Sequence, residues 1–208
     1  MVTDGLNPLT VLLFLGAVLT AVALAATYAF ARITKRERLA QISSRALLGG
    51  VGLYLVFILT GSLVSRGRVL APGEEKHICE IDCHLAYSVA AAKAESVGGG
   101  VVRHLVTVKV RFDEATISAR RSRTAPLSPN KRYVALIDDA GHEYPGSSAG
   151  LMRPLIPGES YTTDIEFDVP QKATGLRLVL QNADLETSLI IGHENSLLHS
   201  RTTFQLPV

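Results

Sequence analysis

The sequence predicts a membrane α-helical hairpin followed by an all-β sandwich. Three observations carry this. Two long runs contain no charge, a basic cluster separates them, and past Arg68 the pattern changes to stretches that alternate apolar and polar residues with period two. The mean hydropathy of +0.24 agrees with such a mixture, being high for a soluble domain and low for a polytopic transporter.

The first run is Pro8 to Ala31, PLTVLLFLGAVLTAVALAATYAFA, and the second is Ala46 to Ser65, ALLGGVGLYLVFILTGSLVS. A helix crosses a bilayer in about 20 residues, so each run is long enough. Ala23-Leu24-Ala25 resembles a signal cleavage site. However, the residues before the run include Asp4 and no Lys or Arg, and the apolar run is longer than a signal core. The segment 32–45 holds Arg32, Lys35, Arg36, Arg38 and Arg45 against Glu37 alone. Short basic loops stay in the cytoplasm. The expected topology is therefore a two-helix anchor over 1–66 with a cytoplasmic loop at 32–45. Both termini and the β-domain then lie on the periplasmic, or extracytoplasmic, side of a cell inner membrane. Neither span carries an ionisable residue, which argues against a pump or transporter. Ala17, Ala21, Ala25 and Ala29 recur every four residues, a small-residue stripe expected to pack the first helix on the second or on another membrane subunit.

The net charge of +2 hides an asymmetry: from Arg66 onward there are 16 basic and 17 acidic residues. A near-neutral domain lacks the basic face that nucleic acid requires. Residues 67–100 read as a linker with a cysteine-containing strand or loop, and 101–208 as the sandwich. Strands are expected at His104 to Phe112, Lys131 to Asp138, Tyr161 to Val169, Gly175 to Gln181, Ser188 to Ile191 and Thr202 to Leu206. Asp139-Ala140-Gly141 should turn a hairpin into His142-Glu143-Tyr144, and Pro157-Gly158-Glu159-Ser160 should make a second turn. Gly98-Gly99-Gly100 reads as a loop, since a phosphate-cradling loop would need a following helix.

The runs YVALIDDAGHEY, LIPGESYTTDIEFDVP, GLRLVLQ and GHENSLLHSRTTFQL resemble the telokin-like, immunoglobulin-type extracytoplasmic domains of unknown function, over residues 101 to 208. The resemblance implies an Ig-like sandwich outside the cytoplasm and carries no catalytic residues. A two-span anchor departs from the single span or lipid anchor usual in that family.

The two cysteines lie outside the matched region, in CEIDCHLAY. From Cys79 to Val89 apolar and polar residues alternate, as in a strand with both cysteines on one face. In a continuous strand, positions four apart lie about 13 Å from each other at 3.3 Å per residue. A disulfide needs α-carbons within about 7 Å. Strand and disulfide therefore exclude each other, unless the backbone turns at Glu80-Ile81-Asp82. Three readings stay open: a Cys79–Cys83 disulfide, expected in an oxidising compartment, two buried thiols, or a metal site. The metal reading uses Cys79, Cys83, His84 and His77 as copper or zinc ligands. The layout also resembles cytochrome oxidase subunit II, but here Tyr87 stands where a histidine four residues past the second cysteine belongs, and no methionine follows nearby.

Other patterns carry less. Gly146-Ser147-Ser148-Ala149-Gly150 fits GxSxG, but Leu151-Met152-Arg153-Pro154 cannot begin the helix a nucleophile elbow needs. His193, Glu194 and His199 lack a standard zinc spacing. Arg120, Arg121 and Arg123 form a basic cluster that reads as a solvated loop or as a contact for anionic lipid or an acidic partner. The expectation is a non-catalytic, cofactor-free binding or scaffold protein, surrounded by membrane lipids and joined to another membrane protein or complex. The alternative is a copper-binding or thiol-redox protein using the CxxxCH segment.

Overall fold

A computed structural model describes residues 2–4, 7–79, 83–118 and 120–207, with the backbone alone at Leu185. The chain divides into two compact units, Gly5–Arg66 with Leu185–Ser200, and Met1–Asp4 with Gly67–Asp184 and Arg201–Val208.

The first unit is built on a helical hairpin. Helix α1 spans Pro8–Ile33, where Pro8 supplies a helix-ready φ and the Asn7 side chain accepts from the Leu9 N–H at 2.9 Å. It ends at Thr34, and Lys35 takes a left-handed φ of 56° that reverses the chain. Helix α2 spans Glu37–Val64, with Glu37 in its first turn, where a negative charge meets the positive helix end. The expected loop 32–45 is therefore corrected. Only residues 34–36 connect the helices, and the basic residues Arg38 and Arg45 lie on α2. Glu37 to Ser44 contain good helix formers and no Gly or Pro, so charge marks the limit of the apolar run and not of the helix.

Both helices are long and apolar enough to cross a membrane, and their large apolar side chains stay exposed, Leu12, Leu19 and Phe30 on α1 and Leu48, Leu53 and Val56 on α2 among them. Threonine hydroxyls inside the apolar runs bond to their own helix: Thr20 donates to the Gly16 carbonyl and Thr60 to the Val56 carbonyl, each at 2.8 Å. The alanine stripe holds only in part. Ala17 and Ala21 are half-buried, with Phe14, Leu24 and the fully buried Ala31, whereas Ala25 and Ala29 face outward. Steps of four residues drift by about 40° each around a helix of 3.6 residues per turn. A straight contact must therefore take three-residue steps as well.

Residues 185–200 complete this unit. The Tyr54 hydroxyl donates to the Leu189 carbonyl at 2.8 Å, and the Ser200 N–H donates to the Ser65 hydroxyl at 2.9 Å. The strand expected at Ser188 to Ile191 is not formed. Leu185–Leu189 is a 3-10 turn, and the Ile190 N–H returns to the Thr187 carbonyl instead of a ladder partner.

The second unit is a β-sandwich of two five-stranded sheets. In chain order its strands are β1 (Val2–Thr3), β2 (Val69–Leu70), β3 (Lys76–Ile78), β4 (Leu85–Gly98), β5 (Val101–Phe112), β6 (Arg132–Ile137), β7 (Glu143–Pro145), β8 (Ser160–Pro170), β9 (Arg177–Asn182) and β10 (Thr203–Gln205). One sheet runs β1-β3-β4-β5-β8 and the other β2-β10-β9-β6-β7. Segment 67–100 is thus no linker: it supplies three strands, and Val2–Thr3 adds a fourth by parallel pairing with Lys76 and His77. The core joins both sheets. Val106, Val108, Val110 and Phe112 of β5 meet Leu178 and Leu180 of β9, with Tyr87, Phe167 and Phe204 around them. The period-two pattern of β5 decides which residues these are.

Candidate functional surfaces of the sandwich

At one end of the sandwich the cysteines close a hairpin. Strand β3 stops at Ile78 and β4 starts at Leu85, so both cysteines fall in the connection. Cys79 and Cys83 form a disulfide, with α-carbons 4.0 Å apart. The conflict between strand and disulfide is resolved by order along the chain. Leu85, Tyr87 and Val89 keep the alternation inside the core, and the cysteines precede it. The turn expected at Glu80-Ile81-Asp82 lies outside the described residues.

The histidines of the metal reading are engaged elsewhere. His77 Nε2 is 3.2 Å from Asp113 Oδ2, and His84 Nδ1 is 2.6 Å from the Thr116 hydroxyl. In the bonded state neither sulfur is a thiolate, the form that binds metal. Among the described residues no group of three or more His, Cys, Asp and Glu side chains is placed to hold a metal ion. Around His77 a charged ladder runs along the sheet. Arg111 donates to both Glu75 oxygens at 2.8 and 2.6 Å and reaches Asp113 at 3.2 Å. The Arg111 hydrogen bond holds the Glu75 carboxyl below its ordinary range. Burial alone would raise Asp113, but donors from His77, Arg111 and the Ala115 N–H outweigh it and pull it down.

Behind the disulfide lies a buried polar network. The Cys79 N–H donates to Asp4 Oδ2 at 3.0 Å, and Asn182 Nδ2 donates to the same oxygen and to the Cys79 carbonyl. Arg132 donates to Asn182 Oδ1 at 2.5 Å and to the Tyr87 hydroxyl at 3.1 Å, with its guanidinium 5.4 Å above the Tyr87 ring. Lys76 Nζ donates to the Leu180 carbonyl in the other sheet at 2.8 Å. Arg132 and Lys76 are 2% and 0% exposed. Two buried cations could have been flagged in the sequence only by their position. Lys76 alternates with Ile78, and Arg132 with Val134 and Leu136, on strands that face the core.

Beside the disulfide a polar pocket of about 310 Å³ is lined by His84, Thr116, Ser118, Arg120 and Arg121. The His84 ring stacks on Phe112, and the Arg121 guanidinium lies 5.4 Å from the same ring. Arg123 turns to Glu114 at 3.7 Å. The basic cluster is thus divided, two arginines on the pocket and one in an ion pair.

The opposite end of the sandwich is open. Strand β4 is buried from Leu85 to Val89 and exposed from Lys93 to Gly98, while the turn at Gly99 and Gly100 has φ of +64° and +75°. Two positive φ values in a two-residue turn give the tight hairpin that glycine favours. Alongside lies a cleft of about 840 Å³, with Ala92 and Ala94 on one wall and Leu176, Leu206 and Pro207 on the other. His104 lines it too, and burial lowers the pKa of its imidazole, favouring the neutral ring.

The serine motif is structural in its surroundings. A side chain at Gly146 would meet the Phe167 ring and Ile165, and one at Gly150 would meet Thr163, so the loop lies against β8 through its two glycines. His193 Nδ1 accepts from the Asn195 N–H at 3.0 Å, and His199 donates to the Ser200 carbonyl at 2.9 Å.

No family model matches the chain, and no curated protein matches it. Among solved structures, an uncharacterized β-sandwich protein from Clostridium difficile 630 is similar at 9% identity and a TM-score of 0.39, covering 69% of this chain and 96% of its own. A conserved hypothetical protein from Bacillus anthracis is similar at 14% identity and a TM-score of 0.35, covering 53% and 87%.

Proposed function

We propose that this is a non-catalytic, membrane-anchored binding or scaffold protein, an accessory subunit that presents an immunoglobulin-type sandwich outside the cytoplasm. One observation supports it above the others. The residues on both sides of the apolar hairpin, Val2–Thr3 before α1 and Val69–Leu70 after α2, are strands of the same sandwich. A hairpin with both ends tied to one β unit crosses the bilayer twice and returns to its starting side. The basic residues Arg32, Lys35, Arg36 and Arg38 then sit at the cytoplasmic turn. Exposed leucines along both helices find hydrocarbon there. Labelling with a membrane-impermeant maleimide tests this. A cysteine placed by Gly99→Cys should react in intact cells, and one placed by Lys35→Cys only after permeabilisation. The reverse pattern would sink the topology. For the scaffold role, purification in mild detergent should bring down a constant membrane partner that is lost when the sandwich is deleted.

A thiol-redox or copper role is a second reading, favoured by the partial exposure of Cys83 next to His84. Reduction would have to precede metal binding. Intact mass under native, non-reducing conditions separates the readings. Loss of two hydrogens with no metal supports the structural disulfide, and a bound copper abolished by Cys83→Ser supports the second.

A further inference from the structure

The two edges of the sheet β1-β3-β4-β5-β8 end differently, and β4 also has an edge inside that order. Strand β3 covers β4 only at Leu85, Ala86 and Tyr87. The Gly73 N–H then bonds to the Val89 carbonyl, and β4 bulges between Val89 and Ala91. From Ala90 to Gly98 β4 pairs with β5 alone. Among the described residues no other backbone group bonds to this stretch. At about 3.3 Å per residue it offers a lane of roughly 30 Å, longer than the roughly 17–20 Å of an ordinary strand.

Such edges are usually blunted by charge, proline, bulges or a covering loop; here the bulge lies at the start of the lane and Lys93 and Glu95 are its charges, with no proline and, among the described residues, no backbone hydrogen bond from a covering segment beyond Val89. This one reads Ala-Ala-Ala-Lys-Ala-Glu-Ser-Val, with small side chains that let another backbone approach, and with Val97 and nearby Val69 about half exposed. The cleft runs beside it, with Ala92, Ala94, Leu176, Leu206 and Pro207 as its apolar lining and Lys93, His104, Asp139, Arg177 and Gln205 as its polar one. Strand addition needs these two things together: backbone groups for affinity and adjoining pockets for alternate side chains.

We propose that the β4 edge from Ala90 to Gly98 receives an extended segment of a partner protein as an added strand, with apolar side chains at alternate positions entering the cleft. This rests on the reading of the chain as a binding protein and names how it binds. Lys93 and Glu95, opposite in charge and two residues apart, select the register through a partner carrying the complementary pair.

The test uses the full-length protein in detergent and a displayed library of random linear peptides. Selected peptides should alternate apolar and polar residues. They should slow amide hydrogen exchange within Ala91 to Val97 by at least about tenfold, as a bound strand does. Ala94→Trp, which fills the cleft, should weaken binding by about tenfold or more, a change of about 1.4 kcal/mol. Val97→Lys should weaken it less, and Arg120→Ala, at the other end, not at all. Unchanged exchange in β5 and β9 verifies that each variant is folded. Protection mapping elsewhere, equal binding by Ala94→Trp, or protection caused by a second copy of the chain would overturn the proposal. A photo-crosslinker at Lys93 and another at Arg120 in cells separate it from the broader reading. Crosslinking at Arg120 alone refutes the β4 edge and leaves a binding protein, whereas crosslinking at neither refutes both.

Discussion

The two ends of the sandwich are built on opposite plans, and strand β4 runs from one to the other. At the cysteine end β4 begins fully buried, behind a disulfide and a network of Asp4, Asn182, Arg132 and Tyr87. At the glycine end the same strand has alanines, no partner on one edge among the described residues and a cleft beside it. Stability and exposure are therefore segregated within one domain. The bridged, buried end marks where β4 starts, and pairing with β5 carries the strand on to Gly98 at the open end. Low local stability belongs where surfaces must accept something.

The largest test of this contrast is Arg132→Met. Removing one member of a buried, hydrogen-bonded charge network leaves the rest without compensation, at a cost of about 3 kcal/mol. Urea titration followed by amide exchange in β6 and β9 should show that loss, and a shift below about 1 kcal/mol would mean the network is ornamental. Cys83→Ser comes next. The loop it closes is short, so chain entropy accounts for only about 2 kcal/mol. Exchange should rise at Leu85 to Val89 and stay unchanged at Lys93 to Gly98. Equal effects at both ends would break the comparison.

Gly100→Ala probes the open end, where a φ of +75° strains any side chain by about 1 kcal/mol. The hairpin tip should fray while the cysteine end keeps its protection. A global loss of stability would show the ends to be coupled. The most gradual effect concerns pH at Asp138, next to the cleft residue Asp139. Burial would raise its carboxyl, but the His142 N–H, the Tyr144 hydroxyl and the His142 ring outweigh that and lower it to about 2. A depressed carboxyl stabilises the fold above its ordinary value near 4 and loses that contribution as pH falls toward 2. Acid unfolding of Asp138→Asn should lack this limb. An unchanged acid profile would remove Asp138 from the account.

Much of the fold is legible residue by residue. Alternation in HLVTVKVRF assigns Val106, Val108, Val110 and Phe112 to the core, and Asp139-Ala140-Gly141 makes the β6–β7 turn. Proline and glycine at 157–158 precede β8 as expected. The misses share a cause. Strands β1, β2 and β3 are two or three residues long, too short for any period to register, and exist because neighbours distant in sequence pair with them. Ser188 to Ile191 shows the converse, a strand-like run with no ladder to join. Of the candidate site residues, the cysteine pair was visible as a spacing. The split of Arg120 and Arg121 from Arg123 was not, since only the fold brings Glu114 and His84 to the same loop.

By itself, the sequence determined two apolar helices, their basic turn, the faces of the long strands and the glycines of the tight hairpin. Each follows from local chemistry: hydropathy over a bilayer's length, period two, and a positive φ that only glycine adopts without strain. The tertiary structure alone decided the rest. It made the cysteines partners by ending β3 at Ile78, and it buried Arg132 and Lys76 by supplying acceptors from another strand. It also left one edge of β4 beyond Val89 without a neighbouring strand among the described residues, because β3 covers it only at Leu85 to Tyr87 while β5 pairs with it throughout. These outcomes depend on which strand lies beside which, and that is set by the packing of the whole domain.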